Sequence, residues 1–396
     1  MLTNGRYRTY CQVGDLDDSR ALLTQIRHQI HQNPELSFQE AATSALVAMR
    51  LEEWGFEVAR NVGGHGVVGR LKAGNGTRSV SLRADMDALP IMEATGAAHA
   101  SRNPGVMHAC GHDGHTTMLL GAARHLAKTR NFSGTVNLVF QPAEEAGMNG
   151  GAERMIAEGL FERFPCDAIF GMHNSPGYPV GTFMFNSGPS MSASDTVNIT
   201  IRGRGGHASR PHLTVDPILI AGSLVVALQS VVSRNVDPRQ AAVVTIGTLH
   251  AGTVRNVIPA SAEMSLSVRS FDNEVRDRLQ ERITALVTAH VQGYGGSVEL
   301  EYIRGYPVLV NSPAETEFAR KVAEDLVGAE KTIFPFGAVT GSEDFAYFLE
   351  HRPGSFVRIG NGDTAMVHSA NYDFNDANLT VGAAYWTRLV ETYLAQ

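Results

Sequence analysis

The order of predicted strands and helices between residues 195 and 303 constrains the fold most. Segments rich in apolar and β-branched residues predict strands at 195–202, 241–249, 261–269 and 297–303, and amphipathic segments predict helices at 213–233 and 272–290. This strand–helix–strand–strand–helix–strand order (βαββαβ) is the ferredoxin-like arrangement, which forms a complete small domain. Because other predicted elements lie on both sides of it, the small domain is expected to be inserted in a larger one.

The flanking segments alternate strands with helices, which is typical of an α/β fold with helices packed on a sheet. Predicted helices lie at 16–32, 38–54, 112–128, 150–158, 313–327 and 376–394, and predicted strands at 67–71, 80–83, 135–140 and 168–171. We therefore expect residues 1–187 and 304–396 to form one α/β domain, and residues 188–303 to form the inserted domain.

Composition excludes several classes of function. The 396 residues carry 33 Lys and Arg against 40 Asp and Glu, a formal charge of −7, whereas nucleic-acid-binding proteins usually show a basic surface. Three cysteines are no disulfide framework, and the first thirty residues contain no apolar run suited to a signal peptide, so a cytoplasmic protein is predicted. The most apolar run, Leu224 to Val232, is too short to span a bilayer, so no membrane partner is expected.

A run rich in potential metal ligands precedes the third predicted helix. Cys110 and His112 are separated by one glycine, so a bent loop could bring both side chains to one ion. Thiolate and imidazole are good ligands for zinc and related metals. Read alone, the pair is also compatible with a buried structural cysteine beside a surface histidine.

Three predicted strands end in residues of the same chemical type. Asp85 and Asp87 follow the first, Glu144 and Glu145 the second, and His173 the third. Ligands in open α/β sheets bind beyond the carboxyl ends of strands, so the recurrence of Asp, Glu and His at these strand ends predicts a metal site. Taken one at a time, the aspartates could be turn formers, the glutamates a solvated helix start and the histidine a core residue.

Two adjacent carboxylates suit a division of labour. One can bind a metal while the other takes a proton from the metal-bound water, whose pKa a metal lowers to roughly 7. We assign Glu144 as the general base and Glu145 as the ligand. His368 follows another apolar strand and is a further candidate ligand.

These motifs resemble the M20 metallopeptidase family, and within it the aminoacylase, hippurate hydrolase and auxin-conjugate hydrolase branch. The resemblance covers almost the whole chain, and its most specific motifs are MHACGHDGHT (107–116) and QPAEE (141–145). It also includes RADMDALPI (83–91), GMH (171–173), GRGGHASRP (203–211), GTVRNVIP (252–259), SVRSF (267–271) and GSEDF (341–345).

The resemblance implies a catalytic α/β domain, with a mixed sheet flanked by helices, and an inserted lid that also serves dimerisation. It implies two divalent metal ions (zinc, manganese, cobalt or nickel), held by residues that precede and follow the lid in the sequence: Cys110, His112, Glu145, His173 and His368. Asp87 and Asp113 would orient ligand histidines, and a homodimer or homotetramer is expected.

The resemblance also assigns residues to the lid. His207 would stabilise the oxyanion, and Asn256 and Arg269 would hold the substrate carboxylate. The implied reaction is hydrolysis of the amide bond of a small N-acyl amino acid by metal-bound hydroxide.

Three alternatives remain open on the residues alone. The same two-metal site could serve a dipeptidase or carboxypeptidase. Cys110 could instead be a covalent nucleophile assisted by His112, or the chain could be a non-catalytic, metal-dependent binding protein.

Overall fold

The structure, a computed structural model, describes residues 10–395. These residues divide into two units. Unit 1 contains the described residues up to Gly188, the segment Val310–Gly337 and the residues from Asp344 onward. Unit 2 contains Pro189–Leu309 and the separate short segment Ala338–Glu343.

The helices lie close to the predicted positions, although residues 13–19 form a short 3-10 helix where the prediction placed the start of an α-helix. The α-helices are α1 (Arg20–Gln32), α2 (Ala41–Glu53), α3 (His112–Thr129), α4 (Gly151–Ala157), α5 (Leu160–Arg163), α6 (Pro217–Asn235), α7 (Asn273–Gly293), α8 (Pro313–Val327), α9 (Phe345–His351) and α10 (Asn378–Tyr393).

The strands include several short ones that the sequence did not indicate. In chain order they are β1 (Glu57–Val62), β2 (Gly66–Ala73), β3 (Ser79–Asp85), β4 (Gly134–Gln141), β5 (Ala168–Ser175), β6 (Phe183–Met184), β7 (Gly188–Met191), β8 (Ala193–Arg202), β9 (Gly206–His207), β10 (Ala242–Ala251), β11 (Val257–Ile258), β12 (Ser261–Ser270), β13 (Ser297–Arg304), β14 (Leu309–Asn311), β15 (Thr332–Ile333) and β16 (Gly354–Gly360).

Unit 1 is built on an eight-stranded mixed sheet with the order β1-β2-β4-β3-β5-β16-β6-β15. Strands β4, β3, β5 and β16 are mutually parallel, whereas β1 and β2 are antiparallel to their neighbours. The central strands are nearly continuous apolar runs because helices cover both faces of a parallel sheet; Val80, Leu82 and Phe170 are fully buried. The predicted α/β class with a mixed sheet is confirmed.

Unit 2 contains a four-stranded antiparallel sheet with the order β10-β12-β8-β13, packed against α6 and α7. Numbered along this unit, the strand order is 2-3-1-4, which is the ferredoxin-like topology that the sequence predicted. Both helices begin at a capping aspartate: Asp216 accepts a hydrogen bond from Ile218 N, and Asp272 from Val275 N.

Helix α6 differs from its prediction in one respect. The apolar run Leu224–Val232 is too short to cross a membrane, but the helix extends over 19 residues and is long and apolar enough to do so. Its buried side, with Leu224 and Leu228, packs into the core of unit 2. Core helices of water-soluble proteins pass the same test of length and composition, so one such helix is weak evidence for a membrane span.

Candidate metal centre

The carboxyl ends of the parallel strands β3, β4 and β5 deliver the predicted site residues of unit 1 to one edge of the sheet. Asp85 is the last residue of β3, Glu144 follows β4 in a one-turn 3-10 helix, and His173 lies near the end of β5. His368 follows β16, the strand parallel to β5. This shared direction explains how residues far apart in the chain meet.

Gly111 shapes the loop that carries Cys110 and His112. Its φ of 92° lies in the left-handed region, and a side chain there would collide with Asn174 and Tyr372. Helix α3 begins immediately afterwards at His112. Only glycine allows this bend, which turns both neighbouring side chains toward the same space.

The structure brings together all five predicted ligands of unit 1. Cys110 Sγ lies 3.3 Å from His173 Nε2, and His368 Nε2 lies 3.3 Å from Glu145 Oε1. The ligand atoms of Cys110, His112 and His173 all lie within 4.8 Å of one another, as do those of Cys110, Glu145 and His368. Because Cys110 belongs to both groups, the arrangement suits two neighbouring ions that share one ligand.

The predicted base lies beside these ligands. Glu144, His112 and Glu145 form a third group whose ligand atoms lie within the same 4.8 Å limit. Glu144 is 7% exposed and follows Ala143, whose φ of 51° marks a sharp turn after β4. The turn places two adjacent carboxylates at the edge of the cluster.

Two buried polar atoms of the cluster make no hydrogen bond of good geometry within residues 10–395. They are His112 Nε2 and Glu145 Oε1, the second of which lies only at ion-pair distance (3.3 Å) from His368 Nε2. Leaving such atoms without a partner costs ~1–3 kcal/mol each, and more for a charged group. A lone pair on an imidazole nitrogen and a carboxylate oxygen, both facing a thiol, are the donor types that bind a divalent transition metal. The residues present therefore fit the metal pair that the sequence implies.

The pKa shifts describe the same excess of negative charge. Burial opposes protonation of His112, but the charges of Asp85 and Cys110 and the hydrogen bonds to Asp87 and Cys110 together outweigh it and raise the pKa of His112 well above its usual value. Contacts with Cys110 and Glu145 raise the pKa of His368 to about 10. Burial, together with the charge of Glu145, raises the pKa of the Cys110 thiol. The protons bound by these groups thus neutralise negative charge that bound cations would otherwise neutralise.

Asp87 fixes several members of the cluster in place. Its carboxylate accepts hydrogen bonds from Glu144 N (3.1 Å), Glu145 N (3.0 Å) and Ser37 Oγ (2.7 Å). Its backbone carbonyl lies 2.9 Å from His112 Nδ1. With Nδ1 acting as the donor to this carbonyl, the lone pair of His112 is on Nε2, the nitrogen that faces the cluster.

Asp113 is placed differently from its prediction. Its Oδ2 lies 2.8 Å from His31 Nδ1 and 3.4 Å from Arg27 Nη1, and its partners in the described part of the chain include none of the predicted ligands. The reason is geometric: successive helical residues project about 100° apart, so Asp113 points toward α1 while His112 points to the cluster.

Three residues near the site had no role in the sequence interpretation. His115 Nδ1 lies 2.7 Å from Asp85 Oδ1, and its Nε2 accepts a hydrogen bond from Asn174 N at 3.0 Å. Arg83 donates to the other Asp85 oxygen at 2.7 Å. Asp85, His112 and His115 also form a possible metal-binding group, but both Asp85 oxygens already have partners. The one sequence signal for His115 was its position three residues after His112 on α3, because residues at that spacing are neighbours on a helix surface.

The predicted residues of the lid lie in unit 2. His207, in β9, pairs with Val257 of β11, and Asn256 O accepts a hydrogen bond from Ala208 N at 3.1 Å, so His207 and Asn256 are close neighbours. His207 is exposed, and its Nδ1 accepts from Ser209 N at 3.1 Å. Arg269 is half-buried and donates to Ser342 Oγ at 2.9 Å. Their predicted roles toward substrate remain predictions.

Comparison with known proteins gives a consistent family. Residues 81–392 match the signature described as "Peptidase family M20/M25/M40". The chain is 44% identical over 382 residues to a hippurate hydrolase of Campylobacter jejuni, covering 96% of this chain and 99% of that protein. It is 41% identical to an N-acetyl-L-cysteine deacetylase of Bacillus subtilis, covering 87% and 82% of the two chains.

Two further similarities bear on the chemistry. A thermostable carboxypeptidase of Saccharolobus solfataricus is 39% identical and covers 93% of this chain and 94% of its own. Among solved structures, the YXEP protein of Bacillus subtilis, described as a dinuclear metal-binding peptidase, superposes with a TM-score of 0.83 at 34% identity. That comparison covers 96% of this chain and 99% of the other.

Proposed function

Because this chain belongs to the M20/M25/M40 peptidase family, we propose that it is a metal-dependent amidohydrolase that cleaves the amide bond of N-acyl amino acids. One observation supports the proposal. A thiol, imidazoles and the Glu145 carboxylate converge at one edge of the sheet, and the Glu144 carboxylate lies beside them. The reaction adds water across the amide bond and gives a carboxylate and a free amino acid.

Five residues would hold two divalent ions: Cys110, His112, Glu145, His173 and His368. When bound, such ions act as Lewis acids toward water and toward the scissile carbonyl. The chain supplies the rest of the site. Asp87 holds the backbone of Glu144 and Glu145, and burial of His112 and Cys110 excludes bulk water, which strengthens electrostatic interactions.

Glu144 would transfer the proton. Its carboxylate would take a proton from the attacking water and deliver it to the leaving nitrogen, so that a neutral amine departs. From unit 2, His207 would donate to the developing oxyanion, and Asn256 and Arg269 would bind the substrate carboxylate. Burial of Arg269 lowers its pKa, yet an arginine keeps its charge at neutral pH, as recognition of a carboxylate requires.

The similarities favour acyl amino acids over peptides as substrates. The hippurate hydrolase and the N-acetyl-L-cysteine deacetylase, both more than 40% identical to this chain, are named for cleaving an acyl group from one amino acid. The carboxypeptidase similarity, at 39%, keeps peptide cleavage as a second candidate. Comparing turnover of N-benzoylglycine, N-acetyl amino acids and unmodified dipeptides on metal-loaded enzyme separates the two, and preference for dipeptides would overturn the proposal.

Glu144→Gln tests the base. We expect kcat to fall by about 10²–10⁴-fold, with bound metal and KM little changed. Glu153→Gln is the matched control, because Glu153 is a glutamate on the nearby helix α4, outside the cluster. Activity of Glu144→Gln close to that of the control would contradict the assignment.

A homodimer, or a tetramer made from it, is also proposed. Helix α6 leaves Val226 (73%) and Leu219 (59%) exposed, and the edge strand β10 of the same unit leaves Leu249 (44%) exposed. Apolar side chains beside an open sheet edge suit contact with another copy of the chain. Light scattering of purified protein tests this.

Three buried free cysteines are compatible with the cytoplasm, which we propose as the location.

A further inference from the structure

Unit 1 contains a cavity far from the candidate metal centre. The cavity has a volume of about 640 Å³, within the range of small-molecule sites. It is lined by Ser79 and Thr135, at the start of β3 and β4, whereas the candidate ligands follow the ends of these strands. At ~3.3 Å per residue, β3 separates Ser79 from Asp85 by roughly 20 Å.

The charges lining this cavity are mainly positive. Four cationic side chains line it, Arg70, Lys72, Arg130 and Arg163, against a single carboxylate, Glu57. Arg70 Nη1 lies 3.8 Å from a Glu57 oxygen, so one cation has a partial partner. The whole chain has a formal charge of −7, so this local excess of positive charge has the opposite sign to the protein.

Two of the guanidinium groups are held in place by the backbone. Arg130 donates from Nη1 to Lys72 O (3.0 Å) and from Nε to Ala127 O (3.2 Å). Arg70 donates to Arg163 O and stacks on the Phe164 ring, with its guanidinium carbon 4.6 Å from the ring centroid. Each guanidinium has five N–H donors, so both keep donors for a ligand. Groups that are already ordered lose less entropy when a ligand binds.

The other two cations lack a counter-charge. Neither Lys72 nor Arg163 has a side-chain ion pair or hydrogen bond within the part of the chain that the structure describes, and both are exposed. Arg163 contacts the Phe164 ring, with its guanidinium carbon 5.4 Å from the centroid. Hydroxyl groups of Thr77, Ser79 and Thr135 also line the cavity and can donate to oxyanions.

We propose that this cavity binds a small ligand that carries two or more phosphate or carboxylate groups. Guanidinium forks match the geometry of both oxyanions, and several separated cations favour a ligand with several anionic groups over a monoanion. The inference does not depend on the proposed hydrolase activity.

Calorimetric titration of the metal-loaded protein with inorganic pyrophosphate and, separately, with tricarballylate tests the proposal and distinguishes the two anion types. The test variant is Lys72→Glu/Arg163→Glu. The matched control is Arg282→Glu/Lys331→Glu, which makes the same change in net charge at exposed positions outside the cavity. Metal content is measured after each titration, so that heat from chelation of the metals is recognised.

We expect one binding event in the wild type and in the control, weakened by added salt because the contacts are partly exposed. The test variant should bind at least about tenfold more weakly, which corresponds to ~1.4 kcal/mol. Lys72→Gln/Arg163→Gln removes the two positive charges without reversing them, and it should weaken binding by a smaller factor. This variant replaces the charge reversal as the test if Lys72→Glu/Arg163→Glu disturbs folding. Absence of binding in the wild type, equal weakening in the control, or undiminished binding in both test variants would overturn the proposal. Hydrolysis of N-acyl amino acids is assayed separately on the same variants and should be unchanged.

Discussion

Replacement of Asp87 by asparagine tests the framework of the candidate metal centre most directly. Asp87 is 1% exposed, and its two carboxylate oxygens receive hydrogen bonds from Glu144 N, Glu145 N and Ser37 Oγ. An asparagine has nearly the same shape but only one acceptor oxygen. Its NH₂ group must therefore face at least one backbone N–H, a donor placed against a donor.

The magnitude follows from these contacts. If the amide turns its NH₂ toward Ser37, the serine hydroxyl can reverse and accept, but Glu145 N is left buried without a partner. That costs ~1–3 kcal/mol, and loss of the negative charge weakens the bond that remains. We expect Asp87→Asn to lower the free energy of unfolding by about 3 kcal/mol. Because the backbone of Glu145 loses the hydrogen bond that fixes its position, metal affinity should fall by about 10–100-fold.

Two measurements check this prediction. Urea unfolding of the metal-free protein isolates the structural cost, and competition with a chromophoric chelator gives metal affinity. Ser37→Ala is the matched control: it removes one bond to Asp87 and should cost about 1 kcal/mol while leaving metal affinity nearly intact. If Asp87→Asn binds metal as tightly as Ser37→Ala does, the claim that Asp87 positions the ligands is wrong.

Further predictions concern pH, unit 2 and the metals. Burial, aided by the charge of Asp87, raises the pKa of Glu40 from 4.5 to about 7, so this group's contribution to stability is present below the lower value and is lost as pH rises through the upper one. Glu40→Gln should remove that loss, which amounts to about 3 kcal/mol, and unfolding midpoints at pH 5 and pH 8 should then differ less than in the wild type. In unit 2, Arg276→Met leaves the buried Asp195 without its 2.6 Å partner and should cost ~3–5 kcal/mol. Arg202→Met breaks an exposed pair with Glu299 and should change the free energy of unfolding far less, so equal losses in the two variants would contradict the role of burial. Dialysis against EDTA should abolish hydrolysis and added Zn²⁺ or Mn²⁺ should restore it, while iodoacetamide should react slowly with the 7% exposed Cys110 of the metal-loaded enzyme; activity that survives EDTA but not iodoacetamide would favour Cys110 as a nucleophile.

Sequence patterns predicted the elements whose burial leaves a clear apolar pattern. The central strands β3, β4 and β5 were visible as short, nearly continuous apolar runs, and the helices α6 and α7 were visible because their apolar residues recur with helical spacing. Strand β1 was missed because it is an edge strand with only one buried residue, so it shows no apolar pattern. The two-residue strands β6 and β15 were missed for a related reason: two residues carry no period.

For the candidate site, sequence predicted residue types better than it predicted partners. Ligand types at the ends of parallel strands meet because strand direction alone sets where those ends lie, and this is why Glu145 and His368 could both be named as candidate ligands from the sequence. The contacts of Asp113 could not be predicted, because they depend on how α1 packs against α3. Asn174 gave no signal at all: its backbone N–H donates to His115 and its side-chain amide donates to Cys110 O, and neither contact is visible until the chain is folded. The type and position of a residue thus predict its chemical role, whereas the contacts that fix its side chain depend on how the chain packs.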